Sequence, residues 1–157
     1  MGNRNMLFCL LAGLLLAIPG LAQDPGARCI AVAGTMQTNL AVIDPATTLG
    51  TASGDLKGAV AASILSTTQN SDGTVTFVVQ HHLVTESGDT ITFDPATALT
   101  MPVSASRFAV LNYPVHITGG TGRYAKAKGD LSAIGEVDLG LGQTVFRYTW
   151  KVCRAGN

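Results

Sequence analysis

The stretch "HITGGTGRYAKAKGDLSAIGEVDLG", residues 116–140, decides how this chain is read. A strand-type segment leads directly into Gly119-Gly120-Thr121-Gly122. Counted from Gly120, the spacing is G-x-G-x-x-A, closing on Ala125, with the acidic Asp138 further on. On paper that is a dinucleotide-binding fingerprint. Such a site requires a helix that opens at the last glycine, so that its N-terminus faces a pyrophosphate. Here "RYAKAKGD" supplies only a few residues before Gly129 stops any helix, and the residues beyond alternate like a strand. The parallel sheet and crossover helices of a dinucleotide fold are also missing from the pattern. The stretch therefore reads as a tight connection between two strands. Gly119, Gly120, Gly122 and Gly129 permit positive φ and close backbone packing in it.

The same alternation extends outward. Seven runs of strand type are visible: residues 28–36, 58–68, 74–85, 89–93, 106–118 (broken at Pro114), 127–139 and 144–153. Turn signals separate them. "DPATT" at 44–48 and "DPATA" at 94–98 place Asp before Pro; the repeat reads either as two halves of a barrel or, preferably, as one turn type used twice. Asp72-Gly73 is a hairpin signal, and "ESGDT" and "LGLGQ" are Gly-centred reversals. "LKGAVAASIL" is the best helical candidate, but its flanking Gly58 and Ser-Thr-Thr favour a strand. Seven or eight short strands at this spacing predict an all-β sandwich or barrel.

The first residues of the chain predict a protein outside the cytosol. Residues 6–18, "MLFCLLAGLLLAI", form a short apolar core after Arg4. Pro19 and Gly20 break it, and small residues precede a cut after Ala22. This predicts a signal peptide over 1–22, a secreted or periplasmic protein, one domain over 23–157, and no membrane span after processing. Cys9 leaves with the signal, so Cys29 and Cys153 are the pair available for a disulfide in an oxidising compartment. Their number and spacing exclude a CxxC redox site and a zinc site. Charged residues are 13% of the chain and the formal net charge is zero, so no basic stripe recruits nucleic acid. Arg123, Lys126 and Lys128 are the only local cationic excess.

At the glycine-rich connection the chain resembles a known group. "GGTGRYAKAKG" resembles the G-G-T-G-[RK]-[FY]-x-x-A-[RK]-G motif of dirigent proteins and of bacterial members of the allene oxide cyclase barrel-like group. It is carried here by Gly119, Gly120, Thr121, Gly122, Arg123, Tyr124, Ala127, Lys128 and Gly129. "HHLVTESGDTITF" (81–93) and "GEVDLGLGQTVFRYTWKVC" (135–153) are similar to the bacterial relatives as well. The resemblance implies an eight-stranded antiparallel barrel with an apolar cavity, often oligomeric, and without cofactor. Allene oxide cyclases steer ring closure of a fatty-acid-derived epoxide, and dirigent proteins direct the coupling of phenoxy radicals. No acidic or polar cavity residue of either plant family maps onto this chain, and none is carried over.

Candidate site residues follow from the alternation. In 74–85, Val75, Phe77, Val79, His81 and Leu83 share one face. In 144–153, Phe146, Tyr148, Trp150 and Val152 share a face opposite Arg147 and Lys151, which are candidates for an oligomer contact. The predicted ligand cavity is therefore Phe77, Val79, His81, Phe146, Tyr148 and Trp150, its partner a small apolar molecule. His81 is the one candidate catalytic group, and the alternative for it is a hydrogen-bonded residue at the barrel rim. No metal site is predicted. His81 and His82 point to opposite faces, and His82 and Glu86 lie roughly 13 Å apart along a strand. "GTASGD" is not the nucleophile elbow of a serine hydrolase. Three functions remain open: a holder of a small apolar ligand, a cofactor-free cyclase or isomerase, and an envelope protein whose barrel is filled by its own side chains.

Overall fold

The computed structural model describes residues 28–154. The predicted signal peptide, residues 1–22, lies outside them. The described chain is all β apart from one three-residue 3₁₀ turn. The strands are β1 (Arg28–Asn39), β2 (Thr47–Gly54), β3 (Gly58–Gln69), β4 (Val75–Thr85), β5 (Thr90–Phe93), β6 (Ala96–Pro102), β7 (Arg107–Gly120), β8 (Gly129–Asp138) and β9 (Gln143–Arg154). Every pairing is antiparallel. β3 pairs with both β2 and β4, and β9 with both β8 and β1, so the sheet closes on itself. β5 and β6 both lie between β4 and β7 and together occupy one place in the ring. The result is a closed antiparallel barrel of eight strand positions, which removes free sheet edges.

Two strands were not among the seven sequence runs, and their absence has a physical cause. β2 turns Thr48, Gly50 and Ala52 inward, and β6 turns Ala96, Ala98 and Thr100 inward. These inward side chains are too small to give an apolar stripe. The expectation that the two D-P-A-T segments form the same turn is corrected here. Asp44 makes a turn: its carboxylate accepts hydrogen bonds from the Ala46 N–H (2.8 Å) and the Thr47 hydroxyl (2.8 Å). Asp94-Pro95 instead interrupts a single barrel position between β5 and β6, and the Asp94 N–H donates to the His116 carbonyl of β7 (3.0 Å). Pro114 does not break β7. It pairs with Ser132 of β8, and the irregularity in register falls between Val110 and Tyr113.

The up-and-down order gives the barrel two unlike ends. Residues 40–46, 70–74, 103–106 and 139–142 connect strands at one end. Residues 55–57, 86–89 and 121–128 connect them at the other, where the described chain also starts and stops. The glycine-rich connection belongs to this second end. Thr121 clamps the turn before β5: its N–H donates to the Thr90 carbonyl (3.0 Å), and its hydroxyl accepts from the Thr90 N–H (2.8 Å). Gly122 has φ 52°, and any side chain there would strike the Asp89 carboxylate. Arg123 pairs with that carboxylate at 3.6 Å and covers the Tyr124 ring. Gly119 and Gly129 also have positive φ, whereas Gly120 does not; at Gly120 the Thr90 carbonyl leaves no room for a Cβ. The motif is a structural clasp.

Candidate functional site

Period-two alternation sends every second residue into the barrel, but what those residues enclose depends on depth. At the clasp end the interior is packed solid. Tyr148 is fully buried, with Leu56, Ile117, Tyr124 and Trp150 among the buried residues of the same core. The Tyr148 hydroxyl donates to the Ser53 carbonyl (2.9 Å) and accepts from the Leu56 N–H (3.0 Å). Across from it, Gly34 has no side chain, and a Cβ there would collide with the Tyr148 ring and hydroxyl. Tyr124 stacks on Trp150 with ring centroids 6.4 Å apart.

Toward the other end the interior is empty. A cavity of about 390 Å³ occupies it. That lies within the range of small-molecule sites. Its walls come from nearly every strand. Phe77, Val79, His81 and Leu83 of β4, Phe93 of β5, Tyr113 of β7 and Phe146 of β9 are among its larger side chains. Thr48, Ala62, Ala98 and Thr100 form a thinner wall around them. Among the described residues, no Asp, Glu, Lys or Arg side chain lines it. Three of its hydroxyls already take part in two hydrogen bonds. The Thr38 and Thr144 hydroxyls bond each other (2.9 Å), and Thr100 donates to the Val75 carbonyl (2.9 Å).

The mouth is aliphatic. Leu40, Ala41, Pro45 and Leu139 line the opening, and the exposed Val42, Ile43 and Leu141 stand on the same two loops. The Leu40 N–H donates to the Gly142 carbonyl (2.7 Å), which ties the two loops together. Between them Ala41 takes a left-handed conformation, φ 53°. For a residue with a Cβ this costs about 1–2 kcal/mol.

One polar pair stands in the wall. Tyr113 Oη and His81 Nε2 are 3.0 Å apart. The His81 ring packs edge-on against Phe93 (centroids 6.0 Å) and tilted against Tyr113 (5.5 Å). Burial, with the neighbouring His82 adding to it, lowers the His81 pKa to about 4. Burial likewise pushes the Tyr113 hydroxyl well above the usual phenol range. Both groups are neutral at pH 7. His81 Nδ1 is sealed from solvent and has no hydrogen-bond partner among the described residues.

Of the residues predicted to line a cavity, Phe77, Val79, His81 and Phe146 do so, and Tyr148 and Trp150 do not. The latter two face inward as the alternation requires, but they lie below the cavity floor. Period two identifies a face and not a depth. Tyr113 was missed because Pro114 was read as a strand break. The alternation of Tyr113, Val115 and Ile117, all buried, is the signal that identifies it. His116 faces outward and bonds Asp130 (2.8 Å), and His82 is exposed on the outer surface. Neither reaches the cavity. Cys29 stands directly opposite Cys153 in the β1–β9 register.

No family model matches this chain, and no curated protein matches it. Among solved structures, it is similar to a pterocarpan synthase dirigent protein, with 14% sequence identity and a TM-score of 0.39 over 90% of this chain and 98% of that one. The barrel's own strand order, and not this likeness, defines the fold described above.

Proposed function

We propose that the protein holds one small, largely apolar, uncharged molecule inside the barrel. The observation that carries this reading is the open-mouthed cavity of about 390 Å³ without a charged side chain in its wall. A filled barrel, as expected of an envelope protein acting through its surface, would have continued the packing seen around Tyr148 up to the mouth. Burial of apolar surface supplies the binding energy, at roughly 25 cal/mol per Å² removed from water. The reading needs no cofactor. The test is native mass spectrometry of protein purified gently from its own host, then denatured. A retained small-molecule mass that is released on denaturation supports the proposal. A bare mass that stays unchanged after incubation with apolar metabolite extract contradicts it.

A second reading is a cofactor-free isomerase or cyclase, favoured by the buried His81–Tyr113 pair in the cavity wall. A cavity that folds a reactive substrate favours ring closure by orientation, and a fixed proton donor or acceptor assists it. Turnover lost in His81→Ala with binding retained separates this reading from simple holding.

Secretion into an oxidising compartment belongs to the same proposal, with a Cys29–Cys153 bridge. Two residues directly opposite on antiparallel strands have Cα atoms roughly 4.5–5.5 Å apart, inside the range a disulfide spans. An intact mass lower than the reduced mass by two hydrogens is the expected result.

A further inference from the structure

If the barrel holds an apolar molecule, its wall also favours a particular kind of polar atom on that molecule. The preference lies in how His81 and Tyr113 share their hydrogens.

A neutral imidazole carries one N–H and one bare nitrogen, and the partner of one nitrogen fixes the state of the other. Two arrangements satisfy the 3.0 Å contact between Tyr113 Oη and His81 Nε2. In the first, the phenol donates to Nε2, and the imidazole proton sits on Nδ1. That nitrogen is sealed from solvent and has no partner among the described residues. The arrangement leaves a buried N–H with no acceptor, the kind of orphan that folded proteins rarely retain. In the second, Nε2–H donates to Tyr113 Oη, and Nδ1 is left as a bare lone pair. The phenol hydrogen is then free. Its oxygen has no other acceptor within reach among the described residues, and Tyr113 lines the cavity. The second arrangement moves the unsatisfied donor from a sealed pocket to the cavity wall, where a guest can meet it.

The rest of the lining narrows the guest further. With no Lys or Arg in the wall, a carboxylate or phosphate inside would be an unpaired buried charge. The Thr100 hydroxyl donates to the Val75 carbonyl, and the Thr38 and Thr144 hydroxyls share one hydrogen bond, which uses one of their two hydrogens; Thr48 also lines the cavity.

We infer that the ligand carries an uncharged hydrogen-bond acceptor, a carbonyl or ether-type oxygen, on an otherwise apolar frame, and that the Tyr113 hydroxyl donates to it while His81 holds that hydroxyl in place. The inference rests on the ligand-holding reading and adds its chemical class.

The test uses three rigid probes of one shape: camphor, its parent hydrocarbon bornane, and bornane carboxylate. Each is titrated into the full mature protein and followed by amide-resolved NMR. Camphor should bind about tenfold tighter than bornane, the ratio one hydrogen bond of ordinary net strength gives. The carboxylate should bind more weakly than either. Tyr113→Phe should bring camphor down to the bornane level and leave bornane unchanged. Equal binding of camphor and bornane to the wild type, or a preference that survives in Tyr113→Phe, overturns this inference and leaves the ligand-holding reading intact. Binding of neither overturns both. The imidazole nitrogen shifts of His81 give an independent reading in the wild type without ligand. A proton on Nε2 is the expected result, and a proton on Nδ1 overturns the inference.

Discussion

Phe146 and Tyr148 stand two residues apart on the same face of β9. Phe146 looks into an open cavity, while Tyr148 is sealed in the barrel floor. The difference is set by what surrounds each of them. Tyr148 meets Gly34, the Ser53 carbonyl and the Leu56 N–H, which accommodate its ring and use both hydrogen-bonding capacities of its hydroxyl. Phe146 packs beside Tyr113 (ring centroids 6.0 Å) and lines the cavity together with the small side chains of the thin wall. A barrel of eight strand positions has an interior that side chains can just fill. Where the wall is Ala and Thr, they do not fill it. One end of this molecule therefore carries stability and the other carries a void, and the two respond differently to perturbation.

The largest expected effect lies at the clasp end. Reducing the proposed Cys29–Cys153 bridge should lower unfolding stability by roughly 4–5 kcal/mol in the chain-entropy model, because it closes a loop from residue 29 to residue 153. Urea denaturation with and without reductant measures it, and unchanged midpoints would remove the bridge from the account. Truncation sharpens the contrast between the ends. Tyr148→Ala should cost about 4 kcal/mol, as expected for an aromatic deleted from a packed core. Phe77→Ala, beside an existing void and only half-buried, should cost about 1–2 kcal/mol. Equal costs at the two sites would mean that the ends are packed alike.

The next effect is one of pH. His81 titrates near 4 in the folded protein and near 6.5 when unfolded. Below about 6.5 the unfolded chain takes up a proton that the folded one refuses. Stability should therefore be complete above that pH, fall by about 3 kcal/mol as the pH drops toward 4, and level off below it as far as this residue is concerned. Denaturation curves across this window should flatten in His81→Gln. A slope of the same size in that variant would assign the effect elsewhere.

The smallest expected effect is the most diagnostic. Ala127→Leu enlarges a fully buried residue of the packed end and should cost about 1–3 kcal/mol by overpacking. Ala62→Leu makes the same change in the cavity wall, where space exists. It should cost less than about 1 kcal/mol and abolish ligand uptake.

The same contrast explains what the sequence revealed. The packed end and the large wall residues were legible because Phe77 and Val79, and Phe146, Tyr148 and Trp150, recur at every second position. β2 and β6 were not legible, because Gly50, Ala52, Ala96 and Ala98 give no stripe to see. The small side chains of the thin wall that hid these strands are also what leaves the cavity open. The void itself was thus the least readable part of the molecule. Tyr113 was hidden for a different reason: it precedes a proline that was read as a strand break, and the register shift before it interrupts the alternation. His81 was found because β4 alternates through it without a break. Its partner required the third dimension.

The central claim is that one end of the barrel is open to an apolar guest and the other is closed. The most direct measurement is an amide-resolved NMR titration of the mature protein with camphor, with the perturbed residues mapped along the barrel axis. The account predicts saturable shifts at Phe77, Val79, His81, Tyr113 and Phe146, and none around Tyr148, Trp150 and Tyr124. Shifts confined to the outer surface, or spread equally over both ends, would contradict it.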